Sequence, residues 1–402
     1  MKRYAMLPLL QKTKDCFIYI QVETTEIIFQ LFRYEERAYD AVVLRTKSVM
    51  GDFKTLEAVG PVLSAYINEA RKMPECRVII GLHSGLFSTT QTVITLRRED
   101  PRHIIDEAEL ENLVSSGLWK IFSGGQQKLA RKMDIGEATT VLVGALISQV
   151  RVDGHRIVTP VGFPAHTVEL TVLYGATSRA IHELLLPLLL SEQQVYCTEI
   201  GMSELLRLAK RKDDEDFLLM RVSEAHTYVY QSADEESGYV DTISWGCRSL
   251  VGTLMNELMI SKWQAVELLR RADAALVSEY VRRRIEALLL QEVSVLLKGI
   301  SAHADQKEIG AVYVSAPFSL PEALFGEAAA RRSGIWVPVI PMPDNSRSEK
   351  TESALPLSMK LTASSVSALC ANAWMADRSF EQSDVQKIVR RRARWLAGSS
   401  AS

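Results

Sequence analysis

Apolar and polar residues alternate through positions 16–33 (CFIYIQVETTEIIFQLFR) on either side of a polar tetrad, Glu23-Thr24-Thr25-Glu26, a pattern that predicts two strands joined by a tight turn. A third strand is expected at 41–47. The period then lengthens: Leu56, Val59, Val62, Leu63, Tyr66, Ile67 and Ala70 recur at helical spacing across 55–72, and beyond Pro74 a strand is predicted at 77–82. This β-β-β-α-β opening has a counterpart later in the chain. Residues 216–230 (DFLLMRVSEAHTYVY) form a second strand, turn and strand, followed by a strand at 238–245, so an internal duplication is expected.

Between the two halves the pattern changes. A strand at 91–96, a helix at 106–123, and strands at 139–152 and 167–174 predict an inserted α+β unit, with Asp153-Gly154 as a turn. Helix 178–190, strand 194–198 and helix 202–212 return the chain to the first half. In the second half, helices are expected at 250–259, from 261 onward and at 277–299. A strand at 309–315, a helix at 321–332 and a strand at 336–340 follow. The segment 345–353 is polar and serine-rich and reads as an exposed loop. Helices are predicted at 364–375 and 385–397.

Composition adds bounds. With 402 residues, 47% hydrophobic and 24% charged, and a formal net charge of −2, the chain reads as a globular protein of two or three domains and not as a nucleic-acid binder. Five cysteines at 16, 76, 197, 247 and 370, none in a C-x-x-C pair, suggest neither a zinc site nor a disulfide framework, and a reducing compartment is expected. The seven histidines show no metal-ligand spacing. No apolar run approaches the roughly 20 residues that span a bilayer, and the N-terminal segment is a poor signal peptide; a cytoplasmic location is expected.

The order of elements, the segment 150–175 (VRVDGHRIVTPVGFPAHTVELTVLYG) and three loops resemble the bacterial actin-like cell-division protein family FtsA and, more loosely, the PilM family of type IV pili. The resemblance implies an actin-like (ribonuclease H-like) two-domain α/β fold with an inserted α+β subdomain. Its expected divisions are 1–82 plus 176–212, an insert at 83–175, 213–252 plus 308–376, a helical subdomain at 253–307, and a linker and terminal helix at 377–402.

The family's phosphate loops match in position but differ in content. Gln21 stands where the metal-organising aspartate would be and Glu23 where glycine would be; only Thr24 and Thr25 remain. The second loop offers Arg221, Ser223 and Glu224 in place of acids and glycines. The third keeps Leu320-Pro321 but has Ser315, Ala316 and Pro317, while Gly246 survives beside Cys247. A glutamate ~5 Å from a phosphate charge costs roughly 3 kcal/mol at an effective dielectric of ~20. A pseudo-ATPase without a confident cofactor, and not an enzyme, is therefore the expectation. In an alternative use of these residues, Arg221 pairs with Glu23 or Glu26 across the cleft and fills the nucleotide's space.

At the C-terminus Val385, Ile388, Val389, Trp395 and Leu396 share a helix face opposite Lys387, Arg390, Arg391 and Arg394. Two readings stand: a membrane-surface helix, which the resemblance favours, or a helix docked on its own domain. Arg282-Arg283-Arg284 reads either as a solvated face or as a grip for an acidic peptide. The resemblance implies protein partners, a tubulin-like division protein or other divisome proteins among them, self-association, and peripheral contact with the inner membrane. The expected function is a division scaffold; the alternatives are a PilM-like pilus platform that grips a partner's short tail, or an active actin-like ATPase with unusual loops.

Overall fold

The computed structural model describes residues 16–35, 40–191, 193–209, 216–232, 237–273, 276–304, 309–316, 322–341, 369, 372–373, 375–376 and 384–399. The expected loop at 345–353 and most of the expected helix at 364–375 lie outside them.

The first half is built on strands β1 (Cys16–Val22), β2 (Glu26–Glu35), β3 (Asp40–Met50), β4 (Arg77–Leu82) and β9 (Val195–Glu199), in the order β3-β2-β1-β4-β9. β1 to β3 are antiparallel, whereas β4 and β9 run parallel to β1. β10 (Phe217–Val222), β11 (Thr227–Ser232), β12 (Gly238–Ile243), β13 (Ala311–Ser315) and β14 (Val339–Pro341) repeat this scheme as β12-β11-β10-β13-β14, again with only the last two parallel to the first. The duplication predicted from two hairpins therefore extends to whole-sheet topology.

Both central strands are buried on both faces. In β1, Phe17 and Tyr19 face the core between the halves, while Ile18 and Ile20 face α1 (Leu56–Ala70) and α3 (Arg179–Leu189). In β10, Phe217 and Leu219 face the same shared core, and Leu218 and Met220 pack under α5 (Cys247–Leu258) and α7 (Glu279–Ala304). Near-continuous apolar runs of this kind fit strands covered on both sides. The shared core, reinforced by α4 (Ile200–Ala209), holds the two sheets together.

The insert consists of β5 (Phe87–Arg97), α2 (Glu107–Met133), β6 (Thr140–Val152), β7 (His155–Ile157) and β8 (Thr167–Ser178). Its sheet, β5-β8-β6-β7, continues the second half's sheet through one strand pair, Gly238 opposite Thr90, beside which the Gln91 amide donates to the Ser237 carbonyl at 2.8 Å. A side chain at 238 would bring its Cβ within 2.6 Å of the Thr90 hydroxyl, so the junction requires glycine. α2 runs well past the end predicted at 123. Gly124 and Gly125 suggest a stop, but Leu129, Ala130 and Met133 continue its buried stripe, and Gly125 lies so close to the Tyr174 hydroxyl that a Cβ would collide with it. Helix propensity is overridden here by close packing on β8.

Two further helices, α6 (Lys262–Asp273) and α8 (Glu327–Arg332), complete the second half. The helix expected over 321–332 is split into a 3-10 turn at Glu322–Phe325 and α8. The terminal helix, α9 (Asp384–Ser399), docks on the insert: Val385, Ile388, Val389 and Ala393 are buried in one core with Leu110, Val114 and Leu118 of α2 and Leu142 and Val150 of β6.

Candidate functional site

The β1–β2 turn and the β10–β11 turn have the same local chemistry. The Glu23 amide donates to the Glu26 carbonyl at 2.9 Å, and the Ser223 amide donates to the His226 carbonyl at 2.7 Å. The duplicated sheets bring the turns face to face across a cleft. Arg221, projecting from the end of β10, donates to Glu23 at 2.5 Å and lies 3.3 Å from Glu204 of α4. Burial works against the Arg221 charge, yet Glu23 and Glu204 outweigh it and hold the guanidinium protonated well above its usual range. Gln21 donates its side-chain amide to Glu23 at 3.1 Å, and the Ser315 hydroxyl donates to Glu204 at 3.3 Å.

A second ion pair crosses the same cleft. Lys54, in the loop before α1, pairs with Glu224, which also receives Lys262 at 3.3 Å and Arg248 at 3.5 Å. Partial burial opposes ionisation of Glu224, but the ammonium groups of Lys54 and Lys262 hold its carboxyl below the usual range. Backbone contacts tighten the rest. The Cys247 and Arg248 amides at the start of α5 donate to the Ser223 and Glu224 carbonyls at 2.9 Å each, and a Cβ on Gly246 would sit 2.5 Å from the Glu224 oxygen. Helix starts favour anions because their amides point outward. Here those amides are already used by the turn.

The sequence-predicted positions are thus gathered as follows. Gln21, Glu23, Arg221 and Ser315 form one network, joined by Glu204, which the sequence reading did not single out, and Glu224 anchors a second. Thr24 and Thr25 contribute backbone: their carbonyls accept from Phe53 at 2.8 Å and Gly51 at 3.0 Å. The Ser223 hydroxyl stays within its own turn, 2.8 Å from the His226 carbonyl, and Ala316 packs against the second half's core. Pairing of Arg221 with Glu23 across the cleft, one of the alternatives legible in the sequence, is present. Carboxylates and hydrogen-bonded amides stand at these loop positions.

A buried cluster lies beneath the cleft that sequence reasoning missed. Glu199, at the end of β9, accepts from Lys132 of α2 at 2.6 Å to each oxygen, from the Thr89 amide at 2.8 Å, and from the Tyr230 hydroxyl. Ser84 bonds the same hydroxyl at 2.7 Å. The Lys132 ammonium also sits 4.4 Å from the Tyr239 ring centre, and burial draws its pKa down to about 8. Adjacent His83, buried against the Phe53 carbonyl, is lowered to about 4, chiefly by desolvation. These residues come from the first half, the insert and the second half, so no local sequence signal marks them.

A groove of about 610 Å³ is lined by residues of β6 and β9. Its lining includes Val143, Leu146 and Leu173, Leu186 and Leu189 of α3 with Leu190 just beyond that helix, and Arg390 and Ala393 of α9. Leu190 is 80% exposed. β9 pairs with β4 alone among the described strands, whereas Gln386 of α9 occupies the β6 backbone, accepting from the Ile147 amide at 3.1 Å and donating to the Ala145 carbonyl at 3.3 Å.

The terminal-helix residues proposed for a membrane are placed otherwise. Val385, Ile388 and Val389 are buried in the insert's core, Arg390 lines the groove, and Arg391 pairs with Glu111 at 2.6 Å. The side chains of Arg394, Trp395 and Leu396 lie outside the described ones. In this arrangement the apolar face is used within the chain, because α2 and β6 supply a matching apolar surface. Arg282 and Arg283 pair with Glu279 of their own helix at 2.5 and 2.9 Å, as expected of a solvated face.

Two sheets of matching strand order, with helices on their outer faces, a cleft between paired hairpin turns and an α+β insert, define the actin-like fold, here a two-domain α/β body. No family model and no curated protein sequence matches the chain. Among solved structures, the PilM-PilN type IV pilus biogenesis complex is similar over 96% of this chain and 98% of that one, at 12% identity and a TM-score of 0.49. A ROK family glucokinase from Streptomyces griseus in complex with glucose and AMPPNP is similar over 90% and 99%, at 10% identity and 0.45. The ethanolamine utilization protein EutJ from Carboxydothermus hydrogenoformans is similar over 91% of each chain, at 7% identity and 0.41.

The glucokinase corrects one expectation. The prediction of a pseudo-ATPase, and so of a protein that is not an enzyme, does not stand, because bodies of this fold include a kinase with a nucleotide analogue and glucose bound. Substituted turns alone do not exclude catalysis. Among the described residues, no helix is long and apolar enough to cross a membrane.

Proposed function

We propose that the chain is an actin-like platform protein that binds a short, extended segment of a membrane-anchored partner, a role closer to a pilus or secretion platform than to a division tether. The observation that carries this reading is the docked terminal helix: its apolar residues complete the insert's core and leave beside β9 an open groove with leucines in its lining. A tether of the division type would need that helix face for lipid. The open edge of β9 suits a peptide that adds one strand, with its apolar side chains on Leu146, Leu173, Leu186 and Leu190 and an acidic residue toward Arg390. The similarity to a structure titled as a PilM-PilN complex is compatible with a protein partner.

The test compares native complexes isolated with the wild-type chain and with Leu190→Glu, a substitution at an exposed position that leaves the core intact. The expected result is a partner with a transmembrane segment and a short cytoplasmic tail whose recovery drops at least tenfold with the variant. A peptide of that tail should bind the wild-type chain alone. Recovery of a tubulin-like division protein, unaffected by the substitution, would overturn the reading.

A further inference from the structure

Cys16 opens β1, and Cys76 immediately precedes β4. These strands are parallel neighbours in the register Phe17 to Arg77, which places the two cysteines side by side although 60 positions separate them. Their sulfurs are 2.7 Å apart, and both side chains point into the core that holds Ile18 and Val78. Neighbouring strands lie about 4.8 Å apart, within the roughly 4.4–6.8 Å between α-carbons that a disulfide spans.

We propose that Cys16 and Cys76 are a redox pair that closes reversibly to a disulfide by exchange with a small disulfide such as oxidised glutathione. The inference is independent of the partner-binding role. When local opening at the start of β1 exposes it, the Cys16 thiolate attacks one sulfur of the small disulfide, forming a mixed disulfide and expelling one thiolate, which takes up the proton lost by Cys16. Cys76 then loses its proton and attacks the Cys16 sulfur; the new protein disulfide forms and the second small thiol leaves with that proton. Two protein thiols are oxidised and one small disulfide is reduced to two thiols.

The local chemistry assigns the order. The hydrogen bond from Cys76 lowers the Cys16 thiol, with help from Arg33 and Arg77 against burial and Glu75, and the same bond raises Cys76. Cys197 and Cys247 are pushed up to about 12 by burial and are poor competitors. The bond would tie β1 to β4 around β2, β3 and α1. It also lies next to the groove: the Gln193 side-chain amide donates to the Met73 carbonyl at 2.8 Å and the Cys76 carbonyl at 3.3 Å, and Gln193 lines the groove.

The experiment incubates the full-length chain in glutathione buffers of increasing oxidised fraction, blocks remaining thiols, and maps peptides without reduction. The expected result is a Cys16–Cys76 crosslinked peptide, reversed by dithiothreitol, with a thermal midpoint several degrees above that of the reduced chain. Cys76→Ala should stop at a glutathione adduct on Cys16 and lose the shift. The proposal is overturned if both cysteines remain alkylatable throughout, if crosslinks involve Cys197, Cys247 or Cys370 instead, or if the midpoint shift persists in Cys76→Ala. The wild-type peptide map decides the matter even if the variant does not fold.

Discussion

His83 carries the clearest consequence of burial at a single residue. Its imidazole is enclosed at the end of β4 and titrates near 4, below the ordinary histidine value of about 6.5. Between these values the unfolded chain binds a proton that the folded chain refuses, so stability is fully present above about pH 6.5 and is lost as the pH falls toward 4. The expected loss between pH 7 and pH 5 is about 2 kcal/mol from this residue. Chemical denaturation at the two pH values should show that difference, and His83→Asn should remove most of it. At the same scale the candidate site was partly legible. Gln21, Glu23, Arg221 and Glu224 could be aligned as departures from a loop pattern because each sits at a fixed offset from a strand. Lys132, Glu199 and Tyr230 gave no such sign: a lysine in the last turn of a helix and a glutamate at the end of a strand are ordinary until folding removes their water.

At the level of elements, α9 shows how an amphipathic pattern specifies burial without naming what does the burying. Periodicity placed Val385, Ile388 and Val389 on one face, and either a lipid surface or a protein surface satisfies that face equally well. The structure supplies α2 and β6, adds the Arg391 and Arg392 pairs to Glu111, and lets Gln386 satisfy two backbone groups of β6. Val389 is fully buried there, so Val389→Asp should destabilise the chain by about 3 kcal/mol or more, since the carboxylate has no partner in that core. Amide exchange should accelerate in β6 and α2 before it does in β1 or β10. If exchange changes only within α9 itself, the helix is a loose appendage and not a part of the insert. The same limit explains α2: its end was expected at 123, and the close packing of Gly125 against Tyr174 lets the helix run on to Met133.

Across the whole molecule, two ion pairs join the halves at the mouth of the cleft. Lys54 is 35% and Glu224 17% exposed at the side chain, so solvent screens their attraction and a coupling of about 0.5–1 kcal/mol is expected. A double-mutant cycle with Lys54→Met and Glu224→Gln, followed by denaturation, should recover that coupling at low salt and much less of it at 1 M salt. Additive losses at both salt concentrations would mean that the pair does not hold the halves together. Arg221 and Glu23, more enclosed, give the latch its inner contact.

The sequence by itself determined the strands, most helices, the duplication and the positions of the two turns, because periodicity and turn chemistry are local and survive without the rest of the chain. The sequence offered a pairing of Arg221 with Glu23 or Glu26; the tertiary structure decided for Glu23, and alone decided the Lys54–Glu224 pair, which surface receives α9, that Cys16 stands beside Cys76, and that a groove opens along β9. Each of these depends on residues tens to hundreds of positions apart, and their juxtaposition follows from sheet order and register. Local pattern constrains strand pairing only weakly until both partners are in place.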